Sequence, residues 1–322
     1  EGYRTLVMLD GIDISDTTGP QVSPRMEHLL SSGIQRVEIL RGPQGLMYGA
    51  DAGGVINIST TAPRDGFGGE VSAEAGRYGT QEYMANIGAG NDTVDGNIAF
   101  ADLETDGFNA RTTDTVLRDD DGYENTSIHG RLGWNATEAL RLELVAREVD
   151  STNEYDGCFG FNGSTDDCYD DFEQQAWRVA ANYAGERFGH ELSYNNSETD
   201  RDFYSDNAYS FGYEGELEEY GYLGSFTGGD ALRLVYGLER KSESSDDGFT
   251  KLERDNDAYY LEYQGEVIDA LYITAGARYD DNDDFGSHTS WRTSAAWVFA
   301  LGGGEAKLRG TYGTGFRAPS LF

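Results

Sequence analysis

One pattern limits what this chain can fold into: a strict alternation of apolar and polar residues that returns over most of its length. In LRLELVARE, Leu140, Leu142 and Leu144 alternate with Arg141 and Glu143. In ALRLVYGLER, Leu232, Leu234, Tyr236 and Leu238 alternate with Arg233, Val235, Gly237 and Glu239. LYITAGARYD and WRTSAAWVF, beginning at Leu271 and Trp291, repeat the theme. A period of two places successive side chains on opposite faces of a strand, so each segment predicts a strand with one apolar and one polar face.

A soluble sandwich would alternate in the same way, so the chemistry of the faces decides. These segments run to about ten residues, whereas ordinary strands average five or six, and a tilted strand needs about nine to eleven to cross a bilayer. The polar face carries Arg131, Arg141, Arg178, Arg233, Arg278, Arg292 and Arg309. Long cations of this kind would disrupt a packed sandwich core but suit a hydrated or plugged barrel lumen. Trp134, Tyr183, Phe226 and Phe299 lie near strand ends, where a bilayer interface collects aromatic rings.

The connections supply an independent test. Short ones are expected near 91–92, 135–138, 185–187, 228–230, 266–269 and 302–304, and long ones near 105–123, 151–172, 200–214, 242–253 and 281–288. Short turns on one side of the membrane and long loops on the other are the habit of outer-membrane barrels. Thirteen strands result from this reading, an odd number with an open edge, so further chain is expected beyond residue 322. Glu1 falls within a strand-like run, YRTLVMLDGI, so an earlier start is expected too.

Composition narrows the function. Acidic residues outnumber basic ones 58 to 24, a net charge of −34, which argues against nucleic acid as a partner. No stretch approaches the eighteen or so apolar residues of a membrane helix. His28, His129, His190 and His288 show no metal-ligand spacing, and no nucleophile–base constellation stands out, so no enzyme is expected. Cys158 and Cys168, the only cysteines, suit a small disulfide loop in an oxidising compartment.

The stretch RGPQGLMYGADAGGVINI, residues 41–58, carries Gly42, Gly45, Gly49, Gly53 and Gly54. A phosphate loop would require a helix after the glycines, whereas a second strand follows, and no lysine is near. A compact turn-rich knot between two strands is the better reading. Here the sequence resembles a known family. LVMLDGIDI, IQRVEILRGPQGLMYGADAGGVINI and the terminal YGTGFRAPSLF resemble TonB-dependent outer-membrane receptors along essentially the whole chain.

That resemblance implies an all-β fold: a transmembrane antiparallel β-barrel with an N-terminal α+β plug in its lumen. The plug is expected over residues 1–66 and the barrel over 67–322. It further implies that Arg36, Glu38 and Arg41 join a buried ion network with barrel carboxylates, and that the protein is a monomer in the outer membrane of a Gram-negative bacterium, surrounded by its lipid. Within the family, YDDNDDFGSHTSWRTSAAW, YGTGFRAPSL, DDDGY (119–123) and YDG (155–157) look similar to cobalamin receptors. Carried over, that likeness implies calcium held by Asp119, Asp121, Asp156 and Asp167, with Asn109 where the pattern has another aspartate. Clustered carboxylates on loops are chemically suited to calcium, and solvated acidic loops are the plainer alternative. The expected activity is active import driven through periplasmic TonB, with cobalamin as ligand or a ferric siderophore as the alternative. A passive porin or structural barrel is the reading from another class, and a folded glycine-rich insert of some sixty residues counts against it.

Overall fold

The computed structural model describes residues 5–19, 22–41, 46–49, 54–61, 65–109, 111, 120–161, 163–229, 231–317 and 319–321. Four short strands come first: β1 (Thr5–Leu9), β2 (Ile12–Asp13), β3 (Ile34–Arg41) and β4 (Gly54–Thr60). They form a small sheet in the order β2-β1-β4-β3, with β1 parallel to β4 and the other pairs antiparallel. Among the described residues this plug holds no α-helix, only two 3₁₀ turns at Met26–His28 and Leu46–Tyr48. The α+β expectation for the plug is therefore corrected. Between Pro24 and Gly33 too few residues remain to nucleate an α-helix, and a single tight turn forms instead.

Thirteen longer strands make the wall. They are β5 (Gly66–Ala75), β6 (Gln81–Gly90), β7 (Val94–Phe108), β8 (Asp121–Asn135) and β9 (Leu140–Tyr155); then, after a loop hairpin of β10 (Cys158–Gly160) and β11 (Gly163–Thr165), β12 (Cys168–Ala184), β13 (Phe188–Ser205) and β14 (Ala208–Thr227). The remainder are β15 (Arg233–Asp246), β16 (Lys251–Ile268), β17 (Leu271–Asn282), β18 (Gly286–Leu301) and β19 (Gly304–Gly313). Each pairs antiparallel with its sequence neighbour in one sheet, and β5 and β19 are its edges among the described residues.

The register fixes which face is which. His129, Arg147, Ala176 and Ser197 form one row across β8, β9, β12 and β13, and all four are buried against the plug or beside it. The opposite face carries Ile98, Leu132, Leu192, Leu238 and Leu261, each exposed. Apolar outside and polar inside is the inverse of a soluble sheet and matches a wall that meets lipid. Trp134 and Tyr183 stand on this outer face beside the short turns, and Phe188 packs there on Phe226 at 5.0 Å.

The connections differ from expectation at one end. The loops foreseen over 200–214, 242–253 and 281–288 are mostly strand, closed by tight turns at 206–207, 247–250 and 283–285. At the first of these, Asp206 and Asn207 both adopt positive φ (52° and 57°), the twist that suits a two-residue hairpin. A small apolar core joins plug to wall: Val7, Leu9, Ile12, Ile14 and Ile58 pack with Val145 of β9 and Ala176 of β12.

Candidate functional site

The seam between plug and wall begins in the segment LDGIDISDT. The chain leaves β1 at Asp10–Gly11, both with positive φ (48° and 83°), and returns as β2. An Asp-Gly pair between apolar runs favours this reversal. Gly11 is needed here on a second count, because a Cβ on it would lie 2.9 Å from Arg178 Nε of the wall. The turn sets three carboxylates at steps of three residues; Asp13 and Asp16 are buried, and the side chain of Asp10 is 3% exposed.

Asp10 accepts from the Thr60 amide at 3.0 Å, from the Thr60 hydroxyl, and from Arg131 Nη1 at 3.3 Å on β8; its Oδ2 lies 2.8 Å from His129 Nε2. Burial pushes its carboxyl up, but the bonds from His129 and Thr60 and the charge of Arg131 outweigh that and hold it below the usual range. Asp13 accepts from Lys241 Nζ of β15 and from the Ser15 amide, both at 2.9 Å. Burial again opposes ionisation, and the Lys241 ammonium with the Ser15 bonds brings the carboxyl down overall. Asp16 accepts from Arg25 Nε and the Thr18 amide at 2.8 Å, with Arg201 of β13 at 4.0 Å. One nine-residue segment thus reaches three separate strands of the wall.

Two further contacts complete the seam. The Met26–His28 turn places the His28 ring 4.2 Å from Phe172, with Nδ1 at 2.9 Å from the hydroxyls of Tyr123 and Ser151. Burial pushes this imidazole down to about 4, so it is neutral at ordinary pH. On the other side, the Leu46 carbonyl accepts from Arg278 Nη1 at 3.1 Å, while Arg278 also donates to Glu239 at 2.7 Å and Asp280 at 2.9 Å. The glycine-rich stretch therefore approaches the protein's own wall. Within it, Gly54 has φ 131°, and a Cβ there would fall 2.3 Å from the Leu40 carbonyl oxygen. Gly42, Gly45 and Gly53 lie outside the described residues.

Among the described residues, no ion pair joins Arg36, Glu38 or Arg41 to a wall carboxylate. Arg36 pairs with Glu38 at 2.5 Å on its own strand, and Arg41 is exposed. The reason is position: β3 is the far edge of the plug sheet, and its Val37 and Ile39 are exposed, so these charges have solvent beside them. Asp10, Asp13 and Asp16 take the role instead. The Asp-Gly pair between apolar runs and the regular spacing of acids were the available signals.

In the acidic loops, Cys158 and Cys168 are bonded, with Cα atoms 6.1 Å apart, beside Asp156 and Asp167. Asp167 Oδ2 accepts from Asn207 at 3.1 Å, Asp166 pairs with Arg111 at 2.6 Å, and the Asn109 amide donates to Asp120 at 3.2 Å. Asp121 opens β8, and Asp119 lies outside the described residues. Among the described residues no three histidine, cysteine, aspartate or glutamate side chains come together to hold a metal.

A sheet with an apolar outer face and a polar inner face, folded around a separate small sheet, defines a plugged outer-membrane β-barrel. Residues 1–56 match the TonB-dependent receptor plug domain and residues 60–322 the TonB-dependent receptor-like β-barrel. The chain belongs to the TonB-dependent receptors, outer-membrane proteins of Gram-negative bacteria rather than enzymes. It is 27% identical over 323 residues to the vitamin B12 transporter BtuB of Photobacterium profundum, covering 98% of this chain and 51% of that protein. The siderophore receptor PirA of Pseudomonas aeruginosa superposes with a TM-score of 0.78 at 20% identity, over 99% of this chain and 55% of that one. PirA of Acinetobacter baumannii gives 0.81 at 16%, over 99% and 54%. The chain spans about half the length of these relatives.

The narrower likeness to cobalamin receptors is corrected by these solved structures, which are siderophore receptors. Two of its motifs make contacts within the protein itself. Phe316 of YGTGFRAPSL stacks on His288 at 4.4 Å, the Pro319 carbonyl accepts from Arg254 at 2.7 Å, and Arg317 donates to the Val22 carbonyl at 3.4 Å. The last of these contacts joins the wall to the plug, and the first two lie within the wall.

Proposed function

We propose that the protein imports a ferric siderophore across the outer membrane, with plug rearrangement driven through periplasmic TonB. The observation that carries the reading is the seam: beside one small apolar core, the plug is held by separate buried ion pairs on β8, β13 and β15. Such contacts are directional and are lost once geometry is disturbed, which suits a plug that must be both tight and movable. A permanent structural plug would be served better by apolar packing.

The names of the similar solved structures favour a siderophore, and the end of the wall nearest the loops is chemically compatible with one. There the Arg201 guanidinium lies 4.8 Å from the Phe203 ring centroid, and Phe203 stacks on Phe211 at 4.6 Å, with Tyr213 beside them. A cation on an aromatic shelf suits a ligand with aromatic or anionic chelating arms. The test is a fluorescence titration of the full-length receptor with ferric enterobactin, ferric dicitrate, ferrichrome and cyanocobalamin. Saturable binding of a ferric chelate is expected. Saturation by cyanocobalamin alone would overturn the assignment.

A further inference from the structure

Arg147 stands apart from every other buried cation of the seam. It projects from β9 into the lumen and is 9% exposed, yet no carboxylate lies within 4.0 Å among the described residues. Among the described residues its one hydrogen bond runs from Nη2 to the His28 carbonyl at 3.3 Å, and Nε has no partner. Directly opposite on β8, His129 turns Nε2 to Asp10, and its buried Nδ1 also has no partner. Val145 and Val149 flank Arg147 on β9 and Ala176 faces it from β12, while the diagonal neighbours are Arg131 and Ser127 on β8 and Arg178 and Gln174 on β12, none of them an anion.

An enclosed guanidinium without a counter-charge is costly, and an apolar residue would serve packing better at this point. Above it lies the Met26–His28 turn of the plug. The Met26–His28 turn is a single 3₁₀ turn, anchored by the His28 ring on Phe172, Tyr123 and Ser151. When that turn lifts, Arg147 loses its only hydrogen bond and faces the lumen with its full set of donors.

We propose that Arg147 is an anion-recognition point on the transport path, covered by the His28 turn while the plug is seated and presented to the ligand once the turn lifts. The group recognised is an anionic oxygen pair, such as a carboxylate or catecholate of a ferric chelate, which the planar guanidinium can grip with two parallel bonds. The proposal rests on the siderophore reading given above. It differs in predicting a step after initial capture: the surface affinity does not involve Arg147, whereas passage does.

The experiment uses the full-length receptor in cells, with Arg147→Met, Arg147→Lys and the unaltered protein. Binding and energised uptake are measured for ferric enterobactin and ferric dicitrate, both anionic, and for uncharged ferrichrome. For an anionic chelate that the unaltered receptor binds, Arg147→Met should keep its affinity and lose about tenfold to a hundredfold in uptake rate, the worth of a charge-assisted contact. Arg147→Lys should recover part of that rate, and any ferrichrome uptake should be unchanged. The heat-resistant folded band of Arg147→Met should be at least as stable as the original, since an unpaired charge has been removed. Normal uptake of the anionic chelate by Arg147→Met overturns the proposal and leaves the siderophore reading intact. Equal loss for charged and uncharged chelates overturns it too, because the guanidinium would then act on the plug itself. If the unaltered receptor binds none of the three, the siderophore reading fails and this proposal falls with it.

Discussion

Lys241 and Asp13 show what a single residue contributes to the seam. Asp13 is almost fully buried, and among the described residues its only charged partner is the Lys241 ammonium 2.9 Å away. Removing one member of a buried pair leaves the other uncompensated, at about 3 to 5 kcal/mol. Lys241→Met should therefore release the plug at markedly lower urea, followed by a fluorophore on the plug, and adding Asp13→Asn should restore most of the loss. Acid should act in the same direction by two stages. His28 has an ordinary value of 6.5 when the plug is free and about 4 when seated, so its stabilising share is full above 6.5 and is lost as the pH falls towards 4. Asp10 and Asp13 are held below their ordinary 3.8, so their share is present above that pH and disappears beneath it. Urea midpoints of plug release should decline from pH 6.5 to 4 and fall further below, and His28→Gln should flatten the first stage alone. The residues of this seam were hard to read from the sequence because a carboxylate beside a turn looks the same whether it meets solvent or a wall. The family resemblance put Arg36 and Glu38 in a buried network, yet they pair with each other on a strand at the open edge of the plug sheet.

At the scale of strands and loops, the sequence could be read well wherever lipid dictates the outer face. Thirteen wall strands and the short turns at one end follow from alternation, since each outward residue there has to be apolar. The reading failed where strands continue past the lipid. On β14, Glu214, Glu216 and Glu218 alternate with inward Gly215, Leu217 and Glu219, so acid replaces apolar residues on the outer face and the segment passes for a loop. The same physics leaves the β10–β11 hairpin with little of its own to hold it. It has two three-residue strands and the Cys158–Cys168 bond. For a closed loop of this size the chain-entropy account gives about 2 to 3 kcal/mol. Replacing both cysteines by serine should speed backbone hydrogen exchange in the hairpin by up to about a hundredfold, with the lower halves of β9 and β12 unaffected. Mass spectrometry of deuterated peptides across 156–170 reads this directly.

For the whole molecule, the plug and the wall are each incomplete without the other. The plug sheet buries apolar residues against Val145 and Ala176, and the inward Arg131, Arg178 and Arg278 find partners on plug turns or on neighbouring strands. In the function proposed here, a lumen filled in this way admits cargo only when work is done on the plug. That coupling is the core of the proposed function, and fold alone does not select the cargo. The most direct measurement is accumulation of radioactive iron, supplied as a ferric siderophore, in cells that carry the full-length receptor with and without functional TonB. The account predicts equal surface binding in both and accumulation only where TonB works. Accumulation at the same rate without TonB would contradict it.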